Sequence, residues 1–457
     1  MIHIIGGGLA GCEAAWQAAS RGVPVTIHEM RPVTRTAVHK TDCLAELVCS
    51  NSLRSDKPDN AVGILKQEMR LLGSLVMQAA DETRVPAGAA LAVDRQLFSQ
   101  RITRVIRDHP LIHVVREEVT EIPVPADDRS PVILATGPLT ADHLSQAIAA
   151  LVGQSHLYFY DAVSPIVLAE SIDRGKVFRA SRWGRSLHVD PQQDEEGDYL
   201  NCPFEADEYS RFYDALTHAE AADLHDFDRE RFFEGCLPIE VMAHRGVDTL
   251  RFGPMKPVGL VDPKTGRHPY AVVQLRQDTL AADHYSLVGF QTQLKWGEQA
   301  RVFRLIPGLE HAEFARFGMV HRNTYVNAPT LLTETWQTRR DPRLFFAGQI
   351  SGVEGYVESA ASGLLAGLNG AAIARGETPG APPRTTALGA LAYYVSHADP
   401  SNYQPTNITF GIMLPLDVAG RIGRRKGDKL AHKLAIGERA LKDLRAWAQR
   451  VLVDAGQ

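Results

Sequence analysis

A short apolar run at the start of the chain leads directly into a cluster of glycines, and this junction restricts the fold more than any other feature. Residues 2–5 have the sequence IHII, and a helical segment extends from the glycines to Arg21. A second apolar segment, 25–29, ends in Glu29, which lies 18 residues beyond Gly11. The glycine loop consists of Gly6, Gly7, Gly8, Leu9, Ala10 and Gly11. Strand, glycine turn, helix and strand in this order indicate a βαβ unit that begins a parallel α/β sheet.

The glycine loop has the spacing GxGxxG, which is typical of a dinucleotide site. In that role Gly6 allows the tight turn, Gly8 lets the backbone approach a pyrophosphate, and Gly11 permits close packing of the helix on the strand. The N-terminus of the helix offers N–H groups and the positive end of its dipole to the phosphates. Glu29 ends the second strand and can accept hydrogen bonds from ribose hydroxyls. The sequence therefore predicts that residues 6–11 and Glu29 bind a dinucleotide.

Two later strand ends carry similar turns, and they favour FAD over NAD. Thr136 and Gly137 end the predicted strand 132–136, and Gly348 and Gln349 follow the predicted strand 344–347. A long ligand such as FAD needs backbone approaches from distant parts of the chain, whereas an NAD domain does not. The sequence has no second GxGxxG motif, so we expect no separate nicotinamide domain. The predicted fold is a Rossmann-like FAD-binding α/β domain built from both chain ends, with an inserted α+β domain.

The inserted domain is predicted where an acidic segment interrupts the alternation of strands and helices. Residues 188–230 contain 14 acidic residues and two arginines. We expect the first part of the FAD domain at 1–165, the insertion at 166–324, and the second part with a basic C-terminal helix at 325–457.

Within the first part, Asp94 is predicted to cap a helix. The apolar positions of that helix are Leu97, Ile102, Val105 and Ile106.

The composition is typical of a soluble globular protein. It is 44% hydrophobic and 23% charged, and no stretch approaches the ~18 apolar residues of a membrane span. The N-terminus has no signal-peptide pattern. Five cysteines at irregular spacing form neither a disulfide framework nor paired CxxC zinc ligands. We therefore expect a cytoplasmic protein with reduced thiols, no metal site and no membrane partner.

Six sequence runs then resemble one family over nearly the whole chain. They are ELVCSNSLRSD (46–56), FEGCLPIEVMA (233–243), RFGPMKPVGL (251–260), VGFQTQLKWGEQ (288–299), FFAGQISGVEGYVESAASGLLAG (345–367) and NITFGIM (407–413). In these runs and their order the chain resembles the folate-dependent tRNA (uracil-5-)-methyltransferase family, TrmFO. The resemblance implies FAD, 5,10-methylenetetrahydrofolate as carbon donor and NAD(P)H as reductant. It also implies C5 methylation of the T-loop uridine of tRNA to ribothymidine, with no protein partner.

The resemblance also implies two catalytic thiols. Uracil C5 becomes nucleophilic when a thiolate adds to C6, and a methylene attached at C5 then needs a hydride to become a methyl group. Cys49 and Cys236 match the two motif cysteines of the family, and Glu240 lies four residues beyond Cys236 as a group that can relay a proton. Which cysteine attacks uracil stays open. The other cysteines, Cys12, Cys43 and Cys202, are interpreted as structural.

Folate contacts follow from the same resemblance. Gln349 matches a position that faces the pterin, whose donors and acceptors an amide can pair. Gln293 occupies a position where relatives often carry histidine. Two roles for Gln293 therefore stay open, a folate contact and a surface amide without a ligand.

Contacts to tRNA are predicted in the basic C-terminal segment. Residues 421–450 contain ten Lys/Arg against three acids, which favours phosphate binding, although a solvated helix face stays open. Tyr403 and Phe410 are taken as exposed aromatic residues that either stack on bases or pack. The predicted phosphate ligands are Arg421, Arg424, Arg425, Lys426, Lys429 and Lys433.

Three alternative functions are kept beside this interpretation. An FAD-dependent disulfide oxidoreductase would use Cys43 and Cys49 as a redox pair. A second alternative is another flavin-dependent enzyme that modifies tRNA uridines. A third is a flavoprotein that binds RNA without catalysis.

Overall fold

The computed structural model of the chain describes residues 1–36, 38–153, 157–186, 197–222, 237–416 and 426–453, with backbone alone at 157–161, 320–322, 426 and 452–453. The strands are β1 Ile2–Ile5, β2 Val25–Glu29, β3 Ser52–Ser55, β4 Arg84–Val85, β5 Ala90–Val93, β6 Ile112–Arg116, β7 Val132–Leu134, β8 Leu157–Ala162, β9 Ile166–Leu168, β10 Phe178–Ala180, β11 Tyr199–Phe204, β12 Ala271–Gln277, β13 His284–Leu287, β14 Phe314–Arg316, β15 Val320–Tyr325 and β16 Leu344–Phe346. The helices are α1 Leu9–Ala19, α2 Ala61–Leu71, α3 Leu75–Glu82, α4 Arg95–Asp108, α5 Asp142–Val152, α6 Ala206–Thr217, α7 Ile239–Ala243, α8 Thr249–Phe252, α9 Trp296–Phe303, α10 Ala328–Leu331, α11 Tyr356–Arg375, α12 Ala387–His397 and α13 Lys426–Val453.

Both ends of the chain contribute to the first sheet. Its five strands lie in the order β16-β7-β1-β2-β6, and every neighbouring pair is parallel. Helices α1 and α11 pack closely because glycines occupy positions 363 and 367 of their contact. A Cβ at Gly363 would overlap the backbone of Ala10, and one at Gly367 would overlap that of Ala14. The predicted α/β domain with a parallel sheet from both chain ends is confirmed.

The second sheet belongs to the inserted part of the chain. Its six strands lie in the order β10-β11-β12-β13-β9-β14, and all pairs are antiparallel. The seven residues of β12 are all buried, as expected of an inner strand. Strands β8 and β15 pair antiparallel as a separate ribbon where the chain leaves and re-enters the first domain.

Each sheet has its own hydrophobic core. The described residues of the first core come from 2–148 and 325–447, and those of the second from 167–312. No helix in the described part of the chain is both long and apolar enough to cross a membrane.

The predicted cap of α4 is confirmed, and the predicted apolar face needs one change. The Asp94 carboxylate accepts hydrogen bonds from the N–H groups of Gln96 and Leu97 at 3.0 Å each. Ile102 is buried as predicted, but Leu97 is exposed and Phe98 is buried in its place. The rest of the buried face is as predicted, since Ile106 is also buried. Only its first position differs, because the adjacent apolar residues 97 and 98 fit the helical periodicity about equally.

Candidate active site

The turn between β1 and α1 can be built only with glycine at two positions. Gly6 has φ +107°, a conformation that side chains rarely adopt, and a Cβ there would overlap the carbonyl oxygen of Ala135. At Gly11 a Cβ would overlap the carbonyl oxygen of Gly6. The Sγ–H of buried Cys12 donates to the Gly7 carbonyl at 3.3 Å, so this thiol is structural, as predicted.

A cleft that opens to solvent lies at the carboxyl ends of β1, β2, β7 and β16. At Gly8, which lines it, an added Cβ would meet no protein atom within 4 Å, so the side chain would extend into the cleft. The first turn of α1 has no acidic residue, so the helix itself places no carboxylate against its own N–H groups and dipole. Gly11 lies beneath the loop and does not line the cleft. The predicted dinucleotide-binding residues that line it are Gly6, Gly7, Gly8, Leu9, Ala10, Glu29, Thr136, Gly137, Gly348 and Gln349.

Glu29 is buried and already has strong partners. Its carboxylate accepts from the Gly7 N–H at 2.8 Å and from the backbone N–H and Nε of Arg31 at 3.0 and 2.8 Å. Burial acts to raise the pKa of Glu29, but the hydrogen bonds and charge of Arg31 outweigh it and hold that pKa below its ordinary value. The carboxylate is therefore ionised at neutral pH, and it lines the cleft as a hydrogen-bond acceptor.

The late glycine turn reaches the same cleft from the other end of the chain. Gly348 has φ +82°, and its N–H donates to Ser362 Oγ at 2.7 Å. Nε2 of Gln349 donates to Glu354 at 2.7 Å, so one face of the amide is fixed. Strand pairing of β16 with β7 accounts for the convergence, because it places residue 348 beside residue 136.

Several residues that line the cleft were not predicted. Tyr356 is the first residue of α11, and a signal for it was present in the GYVES part of the sequence run. His28 belongs to β2, where it pairs with Glu117 at 2.7 Å. Apart from Tyr356, the local sequence around these residues does not differ from that of ordinary strand and loop positions. The remaining polar residues of this kind include Arg31, His39, Glu46, Glu118, Thr140 and Ser359.

Cys49 lies beside this cleft, in a loop that follows the cleft-lining Val48. Its N–H donates to Tyr356 Oη at 2.7 Å, and the N–H of Ser50 donates to the same oxygen at 3.2 Å. Cys49 is half-buried, and its Sγ lies 3.9 Å from the carbonyl oxygen of Ala162. Cys43 is a half-buried thiol that forms no disulfide, and Cys202 is fully buried. Cys236 lies outside the described residues.

Glu240, just beyond the Cys236 motif, is a buried carboxyl group with neutral partners. It accepts from the Gln293 N–H at 2.7 Å and from Thr292 Oγ1 at 2.9 Å. Burial raises its pKa to about 7. The side chain therefore exchanges a proton near neutrality. Gln293 is half-buried and is not among the residues that line the cleft, and its Oε1 is buried without a hydrogen-bond partner among the described residues.

Only part of the predicted tRNA surface falls within the described residues. Arg421, Arg424 and Arg425 lie outside them, and Lys426 begins α13 without a described side chain. Lys429 and Lys433 are exposed on α13, and Nζ of Lys433 lies 5.4 Å from the centre of the Phe410 ring.

The expected exposure of Tyr403 is wrong. Its side chain is 4% exposed, and its hydroxyl donates to the Ser351 carbonyl at 2.9 Å. Tyr403 also packs against the backbone at Gly352, so it supports the 348–352 turn from beneath instead of stacking on a base. Phe410 is half-buried against the first core.

The parallel sheet, the glycine loop and the cleft define a Rossmann-like dinucleotide-binding protein with an inserted domain. Residues 1–378 match the family described as glucose inhibited division protein A. The GidA structure from Aquifex aeolicus superposes with a TM-score of 0.67 at 19% identity, covering 98% of this chain and 76% of that one, which shows a shared fold.

Much closer similarity exists among proteins called methylenetetrahydrofolate–tRNA-(uracil-5-)-methyltransferase TrmFO. The protein of that name from Desulforudis audaxviator is 57% identical over 446 residues, covering 98% of both chains. The one from Koribacter versatilis is 55% identical over 446 residues, covering 98% of this chain and 97% of that one. The chain belongs to the TrmFO family.

Proposed function

We propose that the protein methylates C5 of the T-loop uridine of tRNA, with FAD as cofactor, 5,10-methylenetetrahydrofolate as carbon donor and NAD(P)H as reductant. The observation that carries the proposal is the 57% identity along 98% of both chains to a protein named for this activity. The cleft, the loop with Cys49 and the buried Glu240 supply the groups that such a reaction requires. A cytosolic location, where tRNA is found, is part of the same proposal.

The cleft fits FAD in shape and in charge. The space that a Cβ at Gly8 would fill is where we place the pyrophosphate, facing the N-terminus of α1. The ionised Glu29 carboxylate would accept hydrogen bonds from ribose hydroxyls. The backbone of residues 136–137 and 348–349 would lie beside the flavin ring. Bound there, FAD supplies the reducing equivalents that turn a methylene into a methyl group.

The protein's own groups perform the remaining work. A cysteine thiolate adds to uracil C6, which moves electron density to C5 and O4 and lets C5 form its new carbon bond. The hydrogen on C5 must then leave as a proton, and the thiolate is released as the C5–C6 double bond forms again. Cys49 and Cys236 are the proposed thiols. Glu240, with its pKa of about 7, is the proposed proton carrier.

We test this function with tRNA transcript, NAD(P)H and folate labelled in the methylene carbon. Label should appear at C5 of one T-loop uridine, it should require folate, and S-adenosylmethionine should not replace folate. Cys49→Ala and Cys236→Ala should each lose turnover by orders of magnitude while retaining flavin. Label at a different uridine would favour another flavin-dependent tRNA-modifying activity. Dithiol oxidation lost in Cys43→Ala, without labelled tRNA, would favour the oxidoreductase.

Tight tRNA binding without turnover would favour the non-catalytic alternative. The Cys43→Ala variant is also a matched control for the methylation assay. It removes a residue of the same type from the same segment of chain. We expect Cys43→Ala to methylate at the native rate.

A further inference from the structure

Three arginines hold the segment 47–51, which we call the thiol loop because it carries Cys49. Arg95 comes from the first turn of α4, Arg276 from β12 and Arg316 from β14. Two of them belong to the inserted domain, so the loop is clamped between the two domains. None of the three lies in the sequence runs that indicated the family.

Two of these arginines bind the backbone carbonyl groups of the thiol loop. Arg316 donates to the carbonyl oxygens of Val48 at 3.1 Å and Cys49 at 2.8 Å. Arg95 donates to those of Leu47 at 3.0 Å and Cys49 at 3.3 Å. The Cys49 carbonyl thus accepts from two guanidinium groups, which fixes the residue's backbone and brings two positive charges next to it.

Arg276 binds the other end of the loop through side chains. It donates to Asn51 Oδ1 at 2.8 Å and to Ser50 Oγ at 3.0 Å. Asn51 is fully buried, and its amide nitrogen donates to the carbonyls of Val93 and Gln277 at 3.0 Å each. The loop therefore has one well-defined conformation that depends on both domains.

The positive charge around the loop exceeds the negative charge. Asp278 pairs with Arg95 Nε at 3.0 Å, and no other carboxylate among the described residues pairs with these arginines. Nε of Arg316 is buried without a hydrogen-bond partner in the described structure, and burial, with a smaller effect of the Arg95 charge, lowers the pKa of Arg316 to about 10. Burial raises the pKa of Tyr356, so its phenol is neutral. The charged and titratable groups that face the loop are Arg95, Arg276, Arg316, Asp278 and Tyr356, while Glu46 beside it pairs with Arg31.

We propose that Arg316 and Arg276 are positioning residues whose two uncompensated charges hold Cys49 as a thiolate at neutral pH. The inference rests on the proposed function, in which Cys49 is a reacting thiol. A cation close to a cysteine stabilises the anionic form, and a thiolate is the form that attacks carbon. The same guanidinium groups hold the thiol loop in place, so charge and orientation have one origin.

The test measures alkylation of individual cysteines by iodoacetamide as a function of pH, with each site followed by peptide mass spectrometry. Native Cys49 should reach its half-maximal rate well below the ~8.5 of an ordinary thiol. In Arg316→Gln the Cys49 profile should shift about one pH unit higher, which lowers the rate about tenfold at pH values well below the native midpoint. Arg316→Lys restores the charge and should recover most of the rate. Cys43 is the internal reference, and exposed Arg107→Gln is the control variant.

Two results would overturn the proposal. One is a native Cys49 profile that coincides with that of Cys43, a comparison that stands even if Arg316→Gln fails to fold. The other is an Arg316→Gln variant in which Cys49 keeps the native profile, or reacts faster at every pH as a merely loosened loop would. The assay needs neither tRNA nor folate, so absence of methylation by the native protein would refute the proposed function separately.

Discussion

Gly8 and Gly11 belong to the same loop, but they are glycine for different reasons, and substitution should separate the two. A Cβ at Gly8 meets only empty cleft, whereas a Cβ at Gly11 overlaps the Gly6 carbonyl. We predict that Gly8→Val loses bound flavin but melts near the temperature of the flavin-free native protein. Gly11→Ala should lower the free energy of unfolding by about 2–4 kcal/mol. Flavin absorbance per protein and thermal unfolding measure the two effects, and full flavin occupancy in Gly8→Val would contradict the placement of the pyrophosphate.

The buried Glu240 makes stability depend on pH in a defined direction. Burial raises its pKa to about 7, so the folded state binds a proton that the unfolded state has released between roughly pH 4.5 and 7. Its contribution to stability therefore falls as pH rises through that window. Glu240→Gln keeps an acceptor for the Gln293 N–H and removes the titration. Relative to native protein, the variant should gain about 3 kcal/mol in free energy of unfolding from pH 4.5 to pH 7.5, measured by urea denaturation.

The control for this titration is Glu438→Gln, a substitution of an exposed glutamate on α13. It should leave the pH dependence of stability as in the native protein. If Glu240→Gln shows the same pH dependence as the native protein, Glu240 does not titrate in the neutral range, and it loses its proposed role as proton carrier.

Individual residues were predictable where a short motif sets their role. Gly6 and Gly11 have the backbone constraints that GxGxxG spacing implies, because a turn and a close helix contact are local requirements. Tyr403 was wrongly expected to be exposed, since its burial depends on a turn about 50 residues earlier. The clamp of Arg316 on Cys49 joins positions 267 apart, and no local pattern encodes such a contact.

Among the elements, those with local signals were predicted best. Contacts within a few residues set the βαβ unit at the N-terminus and the Asp94 cap. The βαβ unit and the cap both appear as expected. Strand β6 ends at Arg116, three residues before Val119, the next apolar residue of the chain. Strand ends depend on the partner strand, and β2 ends at Glu29, the register partner of Arg116.

The helix α13 offers a test of the basic surface with residues that the structure describes. Lys429→Glu with Lys433→Glu should weaken tRNA binding and reduce the slope of log affinity against log salt by about 0.7–0.9 per lost phosphate contact. Flavin reduction by NAD(P)H should not change. Lys442→Glu with Arg445→Glu makes the same charge change on exposed residues further along the helix and serves as the control. An equal loss in both double variants would mean that net charge, and not this position, governs binding.

At the scale of the whole molecule, two separate cores account for two folding units. Among the described residues, the buried members of the core under the parallel sheet include none from 149–324, and those of the second core lie within 167–312. Our expected boundary at 324 places all but the last residue of β15 in the insertion, but β15 pairs with β8 along its whole length. We therefore propose that the ribbon belongs to the first domain and that the insertion comprises residues 163–319.

This division predicts that the insertion can be removed without destroying the flavin site. Ala162 and Val320 are register partners, and Cα atoms of such partners lie about 4.5–5.5 Å apart, so an Asn-Gly turn can join them. The contacts that would be lost across the interface include hydrogen bonds such as Tyr199 to the Ala87 carbonyl and Arg276 to Asn51. The shortened chain should be yellow and unfold cooperatively, because its core and cleft are intact.

The same shortened chain should not methylate tRNA, because Cys236, Glu240 and Arg316 are absent from it. Full-length Cys49→Ala is the matched comparison, since it should also bind flavin and lack turnover while keeping both domains. Flavin absorbance, calorimetry and the labelled-folate assay distinguish the two proteins. A colourless, aggregated product would show that the parallel sheet needs the insertion to fold. Methylation by the shortened chain would place all the required chemistry in the first domain and remove the inserted domain from the active site.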